Sequence, residues 1–181
     1  MSKVDRRIQK TQEALKKAII ELMSEKEFDD ITIQDISDRA NVSRGTIYLH
    51  YQDKFDLLDR LIAEHIKEMR DICESTSDME YKDANLPWFE YLEKNHLFFS
   101  TMLKSKGAPS FRSQFLEFLI EEFQDEVNVK GGKNRGLNAD VILQFIVTSY
   151  VGMVEWWIAN GMPYSPHVMA EQVGILLERN L

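Results

Sequence analysis

The chain reads as an all-α protein of about nine helices: an N-terminal three-helix unit, a long connecting helix and a larger helical C-terminal unit. Three observations predict this. Apolar residues recur at spacings of three and four through most of the 181 residues. Side chains that cap helices stand immediately before those runs, at Thr32, Ser43, Asp53, Asn138 and Ser165. The runs stop at residues suited to a reversed backbone, Asn41 and Gly161.

The first helix, from about Arg6 to Ser24, carries Ile8, Leu15, Ala18, Ile19, Leu22 and Met23 on one face, and a loop from Lys26 to Asp30 follows it. At its start Lys3, Arg6, Arg7 and Lys10 stand against Asp5 alone. That makes a basic arm from which Arg6 and Arg7 can reach a nucleic-acid backbone or minor groove. Thr32 and Asp35 have the spacing of a capping box, so a second helix runs over residues 32–39 with Ile33, Ile36 and Ala40 as a narrow apolar face. Asn41 accepts a left-handed backbone, Val42 turns inward, and Ser43 caps a third helix over residues 43–49 in which Ile47 is the aliphatic aimed back at Val42 and Ile36.

The rest of that third helix faces outward. Ser43, Arg44, Gly45, Thr46, Tyr48, His50 and Tyr51, with Lys54 just beyond, form a donor-rich surface without an acid. Such a surface suits phosphate oxygens, and Arg44 has the planar fork that matches guanine O6 and N7. Gly45 costs about 1 kcal/mol relative to alanine in a helix interior, and close approach to a sugar-phosphate backbone is a reason for it. A plain corner between packed helices needs no such set of donors. Two short helices joined by a tight turn, the second presenting this surface, are how a protein places a helix in the major groove of double-stranded DNA.

Asp53 caps the fourth helix, which runs to about Cys73 with Leu58, Leu61, Ile62, Ile66, Met69 and Ile72 along its buried side. It is long enough to leave the first unit, residues 1–54, and act as a lever into the second. Residues 75–86 are polar and mark the boundary, with Pro87 read as the first residue of the next helix and residues 75–181 as the second domain. That domain is dense in rings, among them Trp88, Phe89, Tyr91, Phe98, Phe99, Phe111, Phe115, Phe118 and Phe123, whose spacing suits a helical core. The segment 130–136, rich in Gly and Lys, reads as a mobile connector; it lacks the Ser or Thr and the preceding strand of a phosphate-binding loop. After it comes a helix from Asn138 to Asn160 that is apolar on all sides, and a last helix opened by Ser165 and Pro166 with Val168, Met169, Val173, Leu176 and Leu177 as its stripe. Two terminal helices this apolar call for a partner surface. A four-helix interface between two copies of the chain supplies it, with Val147, Val151, Val154, Trp157, Val173 and Leu177 as candidate contacts.

The net charge of −8 divides unevenly. Residues 1–54 carry ten basic and ten acidic side chains, so all the excess acid belongs to the remainder, and the N-terminal unit is neutral enough to approach DNA. A single cysteine, Cys73, excludes an internal disulfide, and with no leader-like apolar start and no run near 18 apolar residues the expectation is a cytosolic chain without a membrane span. Four scattered histidines, and no HExxH, GxSxG or complete phosphate-binding loop, leave an enzymatic or metal-dependent reading without residues to carry it; no cofactor is expected.

The stretch from about Arg7 to Ile66 resembles the DNA-binding domain of TetR-type transcriptional regulators. Phe28, Ile31-Thr32-Ile33, Ile36, Ala40-Asn41-Val42-Ser43, Gly45, Tyr48, His50-Tyr51, Lys54 and Leu57-Leu58 stand in the family's order and spacing, with Asn41 where the family often has Gly and Tyr51 where it often has Phe. The resemblance implies that helix 32–39 supports, that helix 43–49 reads the major groove, and that Thr32, Tyr48, His50 and Lys54 grip phosphates. It implies a homodimer on a palindromic operator, and a C-terminal domain holding a small-molecule pocket. Trp88, His96, Phe99, Met102, Phe115, Tyr150 and Trp156 are the candidates to line that pocket. Residues 93–96, 109–111 and 155–163 are further similar to the branch containing regulators of dihydroxyacetone kinase operons, some of which are activators answering to a protein. The expected function is a ligand-responsive repressor, with an activator or a protein-responsive regulator as the alternative.

Overall fold

The computed structural model describes residues 3–104 and 109–181, with side chains for 6–104 and 111–181, and the regular structure among them is helical. The helices are α1 (Lys3–Glu25), α2 (Ile33–Ala40), α3 (Arg44–Tyr48), α4 (Lys54–Ser75), α5 (Tyr81–Lys94), α6 (His96–Lys104), α7 (Pro109–Phe123), α8 (Ala139–Ala159) and α9 (Pro166–Glu178). The predicted loop after α1 contains a 3₁₀ turn, Phe28–Asp30, which buries Phe28 against the head.

The head, α1–α3 with the start of α4, closes on Leu15, Ile19, Phe28, Ile31, Ile36, Ile47 and Leu57, each almost fully removed from water. Each local signal in this region corresponds to an observed bond. Thr32 Oγ1 accepts from the Asp35 amide at 3.1 Å while the Asp35 carboxylate accepts from the Thr32 amide at 2.7 Å, which is a complete capping box. Lys26 Nζ lies 2.8 Å from the same carboxylate and holds it well below the usual carboxylate range, together with the two donors of Thr32. Asn41 adopts φ 53°, ψ 47°, the left-handed turn expected of it.

The body packs α5–α9 around Trp88, Phe89, Phe99, Phe115, Tyr150 and Trp157. Rings meet mostly edge to face, as at Phe89–Trp157 (5.4 Å, 88°) and Trp88–Tyr150 (5.2 Å, 77°), the arrangement their quadrupoles favour. Pro87 does not open a helix: α5 begins at Tyr81 and encloses it, so the Asp83 carbonyl lacks its intrahelical donor. The segment 130–136 is also less free than its glycines imply, because Asn134 donates to the Asn180 carbonyl at 2.7 Å and Lys133 to that of Glu178 at 3.2 Å.

Backbones come closest where α9 crosses α5. A Cβ on Gly174 would lie 2.5 Å from both the amide nitrogen and the Cα of Lys82, neither of which can rotate away. Gly174→Ala is therefore expected to destabilise the body by about 1–3 kcal/mol, read as a lowered denaturation midpoint at unchanged m-value. An unchanged midpoint would mean that the two helices can slide apart freely.

Candidate DNA-binding surface and effector cavity

Ser43 caps α3 by accepting from the Thr46 amide at 3.1 Å, and the two hydroxyls lie 2.8 Å apart. Both hydroxyls are thus partly engaged in holding the helix start. Ile47 is fully buried, which orients the five-residue helix so that Arg44, Gly45 and Tyr48 face solvent. A Cβ on Gly45 would meet only the Ser43 hydroxyl, at an ordinary 3.7 Å. The fold itself therefore does not require glycine there. Leu49, 81% exposed, belongs to the same surface and was missed by the sequence reading, although its position two residues beyond an inward Ile47 puts it on the opposite side.

Three members of the expected contact set sit differently. Tyr51 is not exposed but 4% accessible, with the Arg60 guanidinium over its ring. His50 is half-buried beside it. Lys54 turns inward: its ammonium donates to the carbonyls of Phe28, Asp29 and Ile31 at 2.9, 2.9 and 2.8 Å and lies 4.8 Å from the Phe28 ring centroid. All three of its N–H donors are spent on the turn before α2. Thr32 is exposed, its hydroxyl engaged with Asp35. Arg6 and Arg7 belong to a helix rather than to a free arm, since α1 is helical from Lys3; with Lys10 they border a depression that reaches Val42 at the α2–α3 turn. The side chains of Lys3 and Asp5 lie outside the described residues.

The body contains a cavity of about 290 Å³ between the C-terminal end of α4 and α5, α7, α8 and α9. Trp88 and Tyr150 line it. Tyr150 donates to Asn85 Oδ1 at 2.7 Å, a buried bond that fixes one wall. The other five candidates lie elsewhere. Phe99, Met102 and Phe115 are buried in the ring cluster, with Phe111 and Phe115 stacked at 5.5 Å. His96 is exposed at the start of α6, where it lines a separate cleft between α1, α4, α5 and α6, and Trp156 is 48% exposed on the outer face of α8 beside Tyr164. In their place the cavity takes Cys73, Tyr81, Glu122, Phe123 and Glu126, which only the tertiary fold brings together. Burial next to Glu122 pushes the Cys73 thiol up to about 12, so it remains protonated and unreactive. Burial also raises the Glu122 carboxyl above its ordinary value, against the pull of Arg70.

A second cleft separates head from body, where α1, α4, α5 and α6 meet. His65 lines it: the imidazole stacks on Phe98 at 3.7 Å, its Nδ1 lies 2.6 Å from the Tyr91 hydroxyl, and burial pushes it down to about 4. It is neutral at physiological pH. Among the described residues no group of three or more His, Cys, Asp and Glu is placed to hold a metal ion.

The terminal helices correct the expected interface. Val147, Val151, Val154, Trp157, Val173 and Leu177 are 0–5% accessible within the single chain; they hold α8 and α9 to the body. The face left to solvent is a different one: Val141 (66%), Phe145 (61%) and Trp156 (48%) on α8, with Val168 and Leu176 on α9. Gly152 lies on the same face, with open space where its Cβ would be. By length and composition α8 is also apolar enough to cross a membrane, but its inner side is core.

Comparison with known proteins matches both halves. Residues 15–61 fit the model described as bacterial regulatory proteins, tetR family, and residues 79–179 that of a transcriptional regulator C-terminal region. A helix-turn-helix-type transcriptional regulator of Bacillus subtilis, YxbF, is 37% identical over 175 residues, which are 91% of this chain and 44% of that protein. The chain thus spans less than half the length of that relative. The probable acrEF/envCD operon repressor of Escherichia coli K12 is 21% identical over 181 residues, covering 89% of this chain and 82% of the repressor. The crystal structure of a TetR transcriptional regulator from Streptococcus agalactiae superposes with a TM-score of 0.72 at 25% identity, covering 96% of each chain.

Proposed function

The chain belongs to the tetR family of bacterial regulatory proteins, and from that premise we propose that it is a homodimeric repressor that leaves its operator when a small molecule fills the cavity at the end of α4. The observation that carries the reading is the outer surface of α3: Arg44, Gly45 and Tyr48 are exposed on a helix that is anchored inward by the buried Ile47 and capped by the Ser43 hydroxyl. Arg44 supplies base discrimination; Tyr48, Thr32, Arg6 and Arg7 supply contacts to phosphate or sugar; Gly45 lets the backbone come close. The apolar face of Val141, Phe145, Gly152, Trp156, Val168 and Leu176 pairs with its own copy, a self-complementary two-fold contact. Two such heads then read half-sites at least about 34 Å apart, one helical turn or more. The cavity joins this to a signal because the end of α4 forms part of its wall and the start of α4 is bonded to the head. The chain works in the cytoplasm, where that DNA is.

Selection of duplexes from a random library by the purified chain tests the reading; enrichment of a palindrome is expected, and recovery of unselected sequence would sink it. Within the enriched site, Arg44→Ala should lose discrimination at one base position per half-site, by about 1–3 kcal/mol, with the other positions unchanged. A variant that keeps full preference would remove Arg44 from the readers.

A further inference from the structure

The chemistry of the cavity restricts what can enter it. Its titratable lining is acidic: Glu74 from the end of α4, and Glu122 and Glu126 from α7 and just beyond, with no lysine, arginine or histidine among the residues that form its wall. Arg70 reaches Glu122 at 3.1 Å, but it shares its charge with Glu121 at 2.7 Å and does not itself line the space. Among the described residues Glu126 bonds a neutral partner, the Tyr81 hydroxyl at 2.9 Å. Trp88, Phe123 and Tyr150 line the same space as the carboxylates. An anion entering here would meet carboxylates, and a neutral apolar molecule would make no use of their charge. A cation with a flat apolar body meets both demands, through ion pairing at one end and attraction to ring faces at the other. The volume, about 290 Å³, lies at the small end of pockets for organic ligands, roughly 300–1,000 Å³.

We infer that the cavity takes a compact organic cation, an ammonium carried on a one- or two-ring apolar body, with Glu122 and Glu126 as its counter-charges. The inference rests on the reading of this cavity as the effector site. Three nearly isosteric probes separate charge from shape: 2-naphthylmethylammonium, 2-naphthylmethanol and 2-naphthoate, titrated calorimetrically into the whole chain. The ammonium should bind about tenfold more tightly than the alcohol, and the naphthoate most weakly. Glu122→Gln and Glu126→Gln should each weaken the ammonium by several-fold, on the order of 1 kcal/mol or less, and leave the alcohol unchanged. Glu126 is exposed, so its variant keeps the fold. Equal binding of alcohol and ammonium, preference for the naphthoate, indifference to both substitutions, or no binding by any probe overturns the inference. Ala84→Phe, which fills the cavity, separates the two levels. If a neutral or anionic probe binds the native chain and not this variant, the charge assignment fails and the effector site stands. If binding survives the filled cavity at an unchanged melting temperature, both fail.

Discussion

Replacing Lys54 by alanine is expected to lower the stability of the head by about 3 kcal/mol and to leave the salt dependence of DNA binding unchanged. The ammonium satisfies three carbonyls of the turn between α1 and α2, two of them in part-buried bonds, and rests against the Phe28 ring. Hydrogen bonds to a charged group contribute about 1.5–3 kcal/mol each and are not additive when one group makes all of them, so the sum is held near the value of one or two. Alanine leaves those carbonyls to be met by whatever water can enter. A phosphate contact would instead reveal itself as a fall of about 0.9 in the slope of log affinity against log salt. The readouts therefore oppose each other: denaturation should move and the salt slope should not. A lower slope at full stability would mean that the side chain releases the turn to hold DNA.

Phe145→Glu is expected to separate the subunits and cut operator affinity by about 10²–10⁴-fold, because the second head then binds from solution rather than at the high effective concentration that linkage gives it. Phe145 is 61% exposed and central on the outward face of α8, so a carboxylate there costs the single chain little and costs a pressed helix pair a desolvated charge. Sedimentation velocity should show a monomer with native helicity. The same substitution at Val151, on the inner face, should unfold the body instead. A Phe145→Glu protein that remains a dimer would place the interface elsewhere.

The head was legible because its signals are local. The Thr32–Asp35 box, the left-handed Asn41 and the Ser43 and Asp53 caps each involve atoms within three or four residues, and each bond is present. Where the determining partner is distant, the reading failed. Lys54 looked like a free donor because its acceptors lie 23 to 26 residues upstream. Which side of α8 faces outward was illegible for a different reason: a helix apolar nearly all round has no polar stripe to mark its solvent face, and only packing against α6, α7 and the rings of α5 decides it. The cavity combines the two problems, since Cys73, Glu122 and Tyr150 come from three helices and none looks exceptional in its own segment.

His65 stands midway along α4, about eleven residues from Lys54 and about eleven from Thr76, which is roughly 16 Å of helix on either side. Its ring is held between Phe98 and Tyr91, where head and body meet. A rod pinned at its midpoint is a balance with equal arms. Were α4 to turn about that contact, its two arms would be equal, and a displacement at the cavity end would reach the DNA end at similar size and in the opposite direction.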